Sequence, residues 1–408
     1  MIILLISFVG IACSILAITR PFFFLLSILL FRGVIEYFNE MTLIPIGTTY
    51  ININALFALI IICAGSSFIL VKKINIFDLP LVKSFALLLS AIVCSLPLST
   101  SYIISISDIL RLFSVFIFYI LLSYHINSSI QINRILSIFV LSSLFPVVLA
   151  SYQYFSKTGL QDFRYNRLMG PFAHPNVLGL ILIILIPLTF VFFHHIRDIR
   201  IKWIGFLYCL WMIFILFQTY TRASVIGMAI VGIIFGIFKN RKFLIYTIAF
   251  LLLIVLVFPE FLDRFLINEK SFSSINTRLI TWNASINYFQ QNPILGWGYG
   301  TFSTVNRQHG LTIQAHNDFI RIIVETGLVG FFCYLFFILN ILKKLLQNIK
   351  NKNNEPSFLN IKYVGLAIFI AYLAVSFVSN PFGYTVIMWY LFCLIALTNY
   401  NMESTKEI

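Results

Sequence analysis

Residues 203–238 read WIGFLYCLWMIFILFQTYTRASVIGMAIVGIIFGIF, and Arg222 is the only charged residue among them. The apolar runs on either side of it, 203–220 and 223–238, are each near the length that an α-helix needs to cross about 30 Å of hydrocarbon. Runs of this length favour membrane-spanning helices over barrel strands. The stretch therefore predicts two transmembrane helices joined by a tight turn that carries an arginine.

The rest of the chain has the same character. It has 408 residues, of which 60% are hydrophobic and only 10% are charged, whereas an ordinary soluble domain has about 25% charged residues. This composition excludes a water-soluble enzyme, a disordered tail and a nucleic-acid binder. We predict an all-α integral membrane protein with about 12 (12–13) transmembrane helices, forming a single polytopic domain over residues 1–408. The predicted spans are 2–19, 22–38, 51–71, 84–98, 108–124, 135–155, 175–193, 203–220, 223–238, 243–260, 327–346, 363–379 and 385–399.

Two features of the N-terminal fifty residues bear on this count. Residues 2–19 are expected to be a retained membrane helix, because no Lys or Arg precedes the first apolar run as it would in a secretory signal peptide. Arg32, Glu36 and Glu40 interrupt the region that follows. The number of spans in residues 1–50 is therefore left open.

Basic loops predict the orientation of the spans. Four clusters are expected on the cytoplasmic side: Lys72-Lys73, Arg197/Arg200/Lys202, Lys239/Arg241/Lys242 and Lys343/Lys344/Lys350/Lys352. Alternation then places three segments on the outer side: 156–174, the turn 220–222, and a long loop, 261–326. A loop of that length is usually functional or disordered, and its aromatic residues favour order.

The chain has 28 Lys+Arg against 14 Asp+Glu, a net charge of +14. Topology explains the lysine-rich clusters on the cytoplasmic side. It does not explain the arginines predicted on the outer side, where the positive-inside rule expects few. These outer arginines are Arg164, Arg167, Arg222, Arg278, Arg307 and Arg321.

Within the long outer loop, residues 275–289 have the spacing of an amphipathic helix. Ile275, Leu279, Trp282, Ile286 and Phe289 form one apolar stripe. The opposite face is polar and includes Arg278. The pattern predicts a helix lying at the membrane surface, and a packed loop helix with no role in a site is the alternative.

Two further motifs follow in the same loop. Alternating glycines at 296, 298 and 300 indicate close backbone approach or unusual dihedral angles, and no P-loop lysine follows them. Asn317 or Asp318 is a plausible N-cap for the next helix, which puts His316 at a helix N-terminus. A protonated imidazole is disfavoured there, and a neutral imidazole can act as a base. A solvated loop histidine is the alternative.

The first outer segment and the 220–222 turn contain the remaining candidates. Arg164 and Arg167 precede a His174-Pro175-Asn176 motif that opens a predicted span, an unusual composition for a plain connector. Arg222 at its depth requires an anionic partner. The structural alternative is an ion pair with Asp108, Asp162, Asp263 or Glu325.

Neither the cysteines nor the histidines indicate a metal site. The six cysteines all lie inside apolar runs and are interpreted as small core residues. His309 and His316 are seven residues apart, and no Cys or carboxylate cluster has ligand spacing. We therefore predict no metal and no cofactor.

The outer side thus combines several arginines with one candidate base. Arginines at a membrane interface suit a lipid-linked diphosphate. Such a donor needs no ATP, because its diphosphate is already a good leaving group that cations can stabilise. The acceptor hydroxyl, a poor nucleophile, needs a base.

Three segments in this order resemble the bacterial O-antigen ligase and polymerase superfamily. They are 170–179, 219–224, and a run from Arg278 and Trp282 through 292–302 and 316–319 to 325–330. The resemblance covers most of the chain from about 150 onward, whereas the first 150 residues are similar only in being hydrophobic. It implies a metal-independent transferase that uses an undecaprenyl-diphosphate-linked glycan at the periplasmic face of the bacterial cytoplasmic membrane.

The resemblance also implies roles for individual residues. His316 would be the catalytic base or would position the acceptor, Arg222 and Arg278 would hold the diphosphate, and Arg164 or Arg167 would be an accessory phosphate contact. His174 and Asn176 match the early motif without an assigned role. These two residues are placed in the substrate site together with Trp282, Asn317 and Arg321.

Several functions and partners stay open at this stage. A polymerase of O-antigen, capsule or exopolysaccharide repeats is favoured over an O-antigen ligase that uses lipid A core and over a protein O-oligosaccharyltransferase. Expected partners are the lipid-linked donor, a glycan or lipid A-core acceptor, the lipid bilayer, and a chain-length regulator or flippase. A glycolipid transporter is the competing class, but such proteins tend to carry internal repeats and midplane charges.

Overall fold

The computed structural model describes residues 15–38, 42–46, 49–162, 165–239, 241–257, 269–311, 314–350 and 356–400. Within these ranges the protein is a helical bundle with two short antiparallel hairpins, β1–β2 and β3–β4. Most of the predicted span 2–19, and also Arg164, lie outside the described residues. The helices are α1 Pro21–Tyr37, α2 Ile53–Val71, α3 Val82–Cys94, α4 Tyr102–His125, α5 Ser129–Ser156, α6 Pro175–His195, α7 Ile199–Gln218, α8 Arg222–Phe238, α9 Arg241–Val257, α10 Glu269–Gln291, α11 Phe302–Gln308, α12 Asp318–Lys350, α13 Pro356–Ser376 and α14 Thr385–Thr398. The strands are β1 Thr42–Ile46, β2 Thr49–Asn52, β3 Leu160–Asp162 and β4 Tyr165–Arg167.

Seven segments in the described ranges are long and apolar enough to cross a membrane: α2, α4, α5, α6, α7, α12 and the Leu359–Ser376 part of α13. Shorter apolar segments occupy Val82–Leu98, Arg222–Phe238 and Thr385–Thr398. The chain is therefore an all-α, multi-pass membrane protein. The finer count of 12 to 13 spans stays a prediction.

Helix α14 forms the centre of the bundle. Every side chain from Val386 to Leu397 is buried, and the helix packs against α1, α4, α6, α12 and α13. A helix that is apolar on all faces needs such surroundings. The Phe392 ring stacks on Phe85 and Phe337, with centroids 4.9 and 5.9 Å apart.

Helix α12 begins earlier than the predicted span 327–346. The Asn317 side-chain oxygen accepts the Ile320 backbone N–H at 3.1 Å, which confirms the predicted N-cap. Gly327, with φ of 61° and ψ of −164°, interrupts the helix. A short helical segment, 318–326, therefore precedes the long one and belongs to the predicted outer loop.

The helix beginnings of α4, α6, α8, α12 and α14 lie at one end of the bundle, which we call the site end. Tyr299 connects the glycine-rich loop to the start of α4. Its N–H donates to the Ser95 hydroxyl at 3.1 Å, and its carbonyl accepts from the Ser105 hydroxyl at 2.7 Å. The Phe382 N–H donates to the Asp318 carboxylate at 3.0 Å, joining α12 to the start of α14. Segments far apart in sequence thus converge at the site end.

Candidate active site

Arg167 joins three segments of the site end. Its Nε donates to the Thr219 carbonyl at 3.0 Å, and its Nη1 lies 3.1 Å from the Asp162 carboxylate. Its Nη2 donates to the Asn176 and Thr221 side chains at 3.3 and 3.4 Å. Since Arg167 is only 7% exposed, these contacts make it an internal tie between the 160–167 hairpin, the start of α6 and the 219–221 turn.

A stability prediction follows from these contacts. Arg167→Lys keeps the charge but loses the planar fork that reaches several acceptors at once. We expect the free energy of unfolding to fall by roughly 2–3 kcal/mol, the scale of charge-assisted hydrogen bonds. The measurement is the Tm of the purified protein in detergent. An unchanged Tm together with weakened phosphate binding would instead favour the predicted role as an accessory phosphate contact.

His174 caps the start of α6. Its Nδ1 accepts the Asn176 backbone N–H at 3.1 Å, so the neutral ring carries its proton on Nε2. Burial lowers the pKa of His174, and the nearby Arg167 lowers it further, while Asp162 raises it. His174 is therefore a neutral side chain at the edge of the site, and Asn176 contacts Arg167 and Thr221.

Arg222 is the first residue of α8 and is half-buried. Tyr220, two residues earlier, has a left-handed φ of 49°, and its ring lies 4.5 Å from that of Tyr165. This conformation is uncommon for a bulky residue and makes the turn into α8 sharp. The predicted tight turn at 220–222 is therefore present.

Three of the acidic residues considered as partners for Arg222 pair with other arginines. Asp162 pairs with Arg167 at 3.1 Å. Asp108 pairs with Arg111 at 3.0 Å, and Glu325 with Arg321 at 3.1 Å. Asp263 lies outside the described residues.

Helix α10 turns its polar face towards the protein. Thr281 and Ser285 are buried, whereas Leu279 and Ile286 from the predicted apolar stripe are 47% and 56% exposed. This arrangement is the reverse of a surface helix in a soluble protein and suits a helix with lipid on its outer side. It also directs Arg278 inward, where its Nη1 donates to the Val378 carbonyl at 3.2 Å.

His316 is held in an unusual backbone conformation. Its φ is 48°, a left-handed value that is uncommon for residues other than glycine. The Trp282 Nε1 donates to the Ala315 carbonyl at 2.7 Å on one side, and the Asn317 Nδ2 donates to the Phe377 carbonyl at 3.1 Å on the other. Backbone strain of about 1–3 kcal/mol often marks a functional residue. Within the described ranges the half-buried imidazole makes no hydrogen bond of its own.

Electrostatics connect the two arginines with this histidine. Burial lowers the pKa of Arg278, and the charge of Arg222 lowers it further. Burial, then Arg278, then His174 lower the pKa of His316 to about 4. Arg278 therefore lies near both Arg222 and His316. Burial and the charge of Arg278, rather than the helix terminus, lower the pKa of the His316 imidazole.

The glycines of 296–300 allow the loop to approach other elements closely. Gly296, Gly298 and Gly300 have φ values of 69°, 92° and 85°. A Cβ atom at Gly298 would lie 2.6 Å from Ser99, and one at Gly300 would lie 2.5 Å from the Asp108 carboxylate. The alternating glycines therefore serve both predicted purposes, which are unusual dihedral angles and close backbone approach.

Arg321 is more fully buried than Arg222 and Arg278. Its Nε pairs with the buried Glu325 carboxylate at 3.1 Å, and its guanidinium lies 5.4 Å from the Tyr299 ring centroid. Glu325 also accepts the Phe302 backbone N–H at 3.1 Å. These contacts connect α12 to the glycine-rich loop, and substrate contact by Arg321 stays a prediction.

Sequence reasoning missed the segment 377–384. It provides carbonyl acceptors for Arg278 and Asn317, and the Phe382 N–H for Asp318. Phe377 and Val378 fell within the predicted span 363–379, and residues 380–384 lay between that span and the next one. The Asn380-Pro381-Phe382-Gly383 sequence was the available turn signal.

Among the described residues, no three His, Cys, Asp or Glu side chains form a group that could hold a metal ion. Metal independence stays a prediction.

Comparison with known proteins gives two kinds of match. Residues 207–335 match the family model described as O-antigen ligase. Proteins named "putative polysaccharide ligase" are 25% identical in Rickettsia conorii over 180 residues, 26% in Rickettsia felis over 171 and 27% in Rickettsia prowazekii over 168. These alignments cover 38%, 35% and 35% of this chain, and each spans 41% of the relative's own length.

Fold and site together define a multi-pass helical membrane protein with an arginine and histidine cluster at one end of its bundle. The matched residues include Arg222, Arg278 and His316. Over these residues the chain is similar to the O-antigen ligase family and to the polysaccharide ligases of Rickettsia.

Proposed function

We propose that the protein transfers a glycan from an undecaprenyl-diphosphate carrier to a sugar hydroxyl. The observation that carries the proposal is that Arg278 and Asn317, the neighbour of His316, bind the adjacent carbonyls of Val378 and Phe377. The charge of Arg222 lies close enough to Arg278 to lower the pKa of that guanidinium. Two cations in a partly buried site suit a diphosphate. An imidazole that is neutral at pH 7 has a free nitrogen that can accept the proton of an attacking hydroxyl.

The chemistry divides between these residues. The acceptor oxygen attacks the anomeric carbon of the donor sugar and forms the new glycosidic bond. His316 accepts the hydroxyl proton, and the bond between the anomeric carbon and the phosphate oxygen breaks. Undecaprenyl diphosphate departs with the electron pair, and Arg222 and Arg278 stabilise its charge.

The site end is proposed to face the periplasm, with the protein in the cytoplasmic membrane. Its position agrees with the lysine-rich segments at the opposite helix ends, such as 72–73 after α2 and 241–242 in α9. A lipid-linked donor would then reach the arginines from the outer leaflet. The exposed apolar side of α10 supports a position of this helix at the membrane surface, near the outer leaflet.

A polymerase of surface-glycan repeats is our first proposal, and an O-antigen ligase or protein O-oligosaccharyltransferase is the second. A deletion strain examined for lipopolysaccharide and surface polymer separates them. Core carrying a single repeat would indicate a polymerase. Bare core with accumulated lipid-linked polymer would indicate a ligase. Normal surface glycan of every kind would contradict both.

The low pKa of His316 predicts the pH dependence of transfer. The imidazole is the base in its neutral form, which predominates above a pKa of about 4. The kcat/KM of the free enzyme should therefore stay level as the pH falls from 7 and decline only near pH 4, not near the ordinary histidine value of about 6.5. The test is a pH–rate profile, with Tm recorded at each pH. A decline centred near the ordinary value would contradict a buried, arginine-flanked base.

Trp282 is expected to position His316 through the Ala315 carbonyl. Trp282→Phe keeps an aromatic ring and removes only the Nε1 donor. We expect kcat to fall about tenfold, since small misplacements of catalytic groups are costly, with donor KM unchanged. A loss confined to donor KM would place Trp282 against the substrate instead.

A further inference from the structure

A polar cavity of about 210 Å³ lies at the site end, and His174 is one of its lining residues. Helices α1, α2, α4, α6 and α14 contribute its lining. It therefore draws on the first 150 residues, where Arg32 and Glu36 interrupt the apolar sequence without a predicted role. Nothing in the proposed transfer chemistry uses this cavity.

One wall of the cavity is a hydrogen-bonded triad of Arg32, Glu36 and Asn54. Arg32, which is only 3% exposed, donates from Nη1 to the Asn54 side-chain oxygen at 2.7 Å. Its Nη2 lies 3.0 Å from the Glu36 carboxylate, and the Asn54 amide donates to the same carboxylate at 3.2 Å. Burying three polar side chains in an otherwise apolar bundle is costly unless their groups are used.

The two arginines that line the cavity, Arg32 and Arg111, each pair with a carboxylate. Arg32 is paired with Glu36, and Arg111 with Asp108 at 3.0 Å. Because each cation is balanced by a carboxylate, the cavity suits a neutral ligand rich in hydroxyl groups better than a diphosphate.

Aromatic and apolar side chains form the other wall. Phe57 and Trp389 line the cavity with ring centroids 6.2 Å apart, and Tyr384 lies at its rim near His174. A sugar ring has hydroxyls at its edge and an apolar C–H face, so it matches planar polar groups beside aromatic rings. The volume corresponds to about seven water molecules at roughly 30 Å³ each, which is the scale of one sugar ring.

We propose that this cavity binds a neutral terminal sugar of the acceptor and presents its hydroxyl towards His316. The proposal rests on the proposed function. His174 lines the cavity and accepts the Asn176 backbone N–H, and the Asn176 side chain accepts the Thr221 hydroxyl, next to Arg222. The lowering of the His316 pKa by Arg278 and His174 agrees with this arrangement. The acceptor would thus reach the base through His174, and the donor diphosphate through the arginines.

The first variant fills the cavity without changing any charge, and the second removes the charge of Glu36. Ala58 is buried in α2 and lines the cavity, so Ala58→Leu places a larger side chain in the sugar's position. Ala64→Leu is the matched control, with the same substitution on the same helix at a residue outside the lining. Glu36→Gln changes the triad while keeping its shape.

Binding is measured by saturation-transfer NMR on protein in nanodiscs. The probe is a set of lipid-free oligosaccharides released by mild acid from the source bacterium's surface glycan, and undecaprenyl diphosphate is the second probe. We expect Ala58→Leu and Glu36→Gln to weaken oligosaccharide binding at least about tenfold. Undecaprenyl diphosphate binding and Ala64→Leu should stay within about twofold of wild type.

Two results would overturn the proposal: oligosaccharide binding unchanged in Ala58→Leu, or a loss in that variant confined to undecaprenyl diphosphate. The proposed function fails separately, if Arg222→Ala and Arg278→Ala leave transfer intact. Oligosaccharide binding that Ala58→Leu removes would support the cavity assignment even then.

Discussion

Replacing His316 with asparagine should reduce glycan transfer by about 10²–10⁴-fold, the range expected when a general base is lost. Asparagine is chosen because it tolerates the left-handed φ of 48° at this position, so the loop should keep its shape. His316→Ala should lose the same activity with some added strain. The measurement is the rate of glycosidic bond formation by protein reconstituted in liposomes.

His309→Ala is the matched control for this experiment. His309 lies in the same outer region but is exposed, and its Nδ1 lies 3.0 Å from the Val305 carbonyl. We expect activity within about twofold of wild type, as for most surface substitutions. Near-normal transfer by His316→Asn, with equal membrane insertion and Tm, would rule out His316 as the base.

The second large effect concerns the arginine pair. Arg222→Ala and Arg278→Ala should each lower kcat/KM by about 10²–10³-fold, as when one preorganised donor to the departing charge is removed. Lysine at either position keeps the charge but loses the planar fork. We expect lysine to restore part of the rate. Equal loss with alanine and lysine would indicate that two-pronged geometry, rather than charge, is what matters.

Arg307→Ala provides the same change of charge at the site end without entering the cluster. Arg307 lies on α11 and is exposed, so donor use should stay within about twofold of wild type. A comparable loss in this variant would show that general positive charge attracts the donor. The assignment to Arg222 and Arg278 would then be wrong.

The helices were the most predictable part of the molecule. The predicted spans 175–193 and 223–238 correspond to helices Pro175–His195 and Arg222–Phe238, because apolar runs bounded by proline, arginine and lysine have few alternatives in a membrane. The amphipathic stripe in 275–289 also predicted α10. Which face of α10 packs against the protein was harder to predict. The polar face with Thr281 is buried, and the apolar face with Leu279 is exposed, as expected for a helix with lipid on that side.

The site was only partly predictable, because its contacts join residues far apart in sequence. The importance of His316 and Arg278 could be inferred from the motif, but their coupling needed the fold. The bond from Arg167 to the Thr219 carbonyl joins residues 52 positions apart, which no spacing in the sequence indicated. The roles of Arg167 and Arg321 towards substrate stay predictions.

The most direct test of the account is the product balance of one reaction. Wild-type protein in liposomes receives an undecaprenyl-diphosphate-linked glycan and no nucleotide, and released undecaprenyl diphosphate is counted against new glycosidic bonds. We predict equal amounts of the two products. Both should disappear together in the Arg222→Ala/Arg278→Ala double variant and persist in Arg307→Ala. Bond formation that survives in the double variant, or movement of the lipid-linked glycan across the bilayer with no bond formed, would contradict the account.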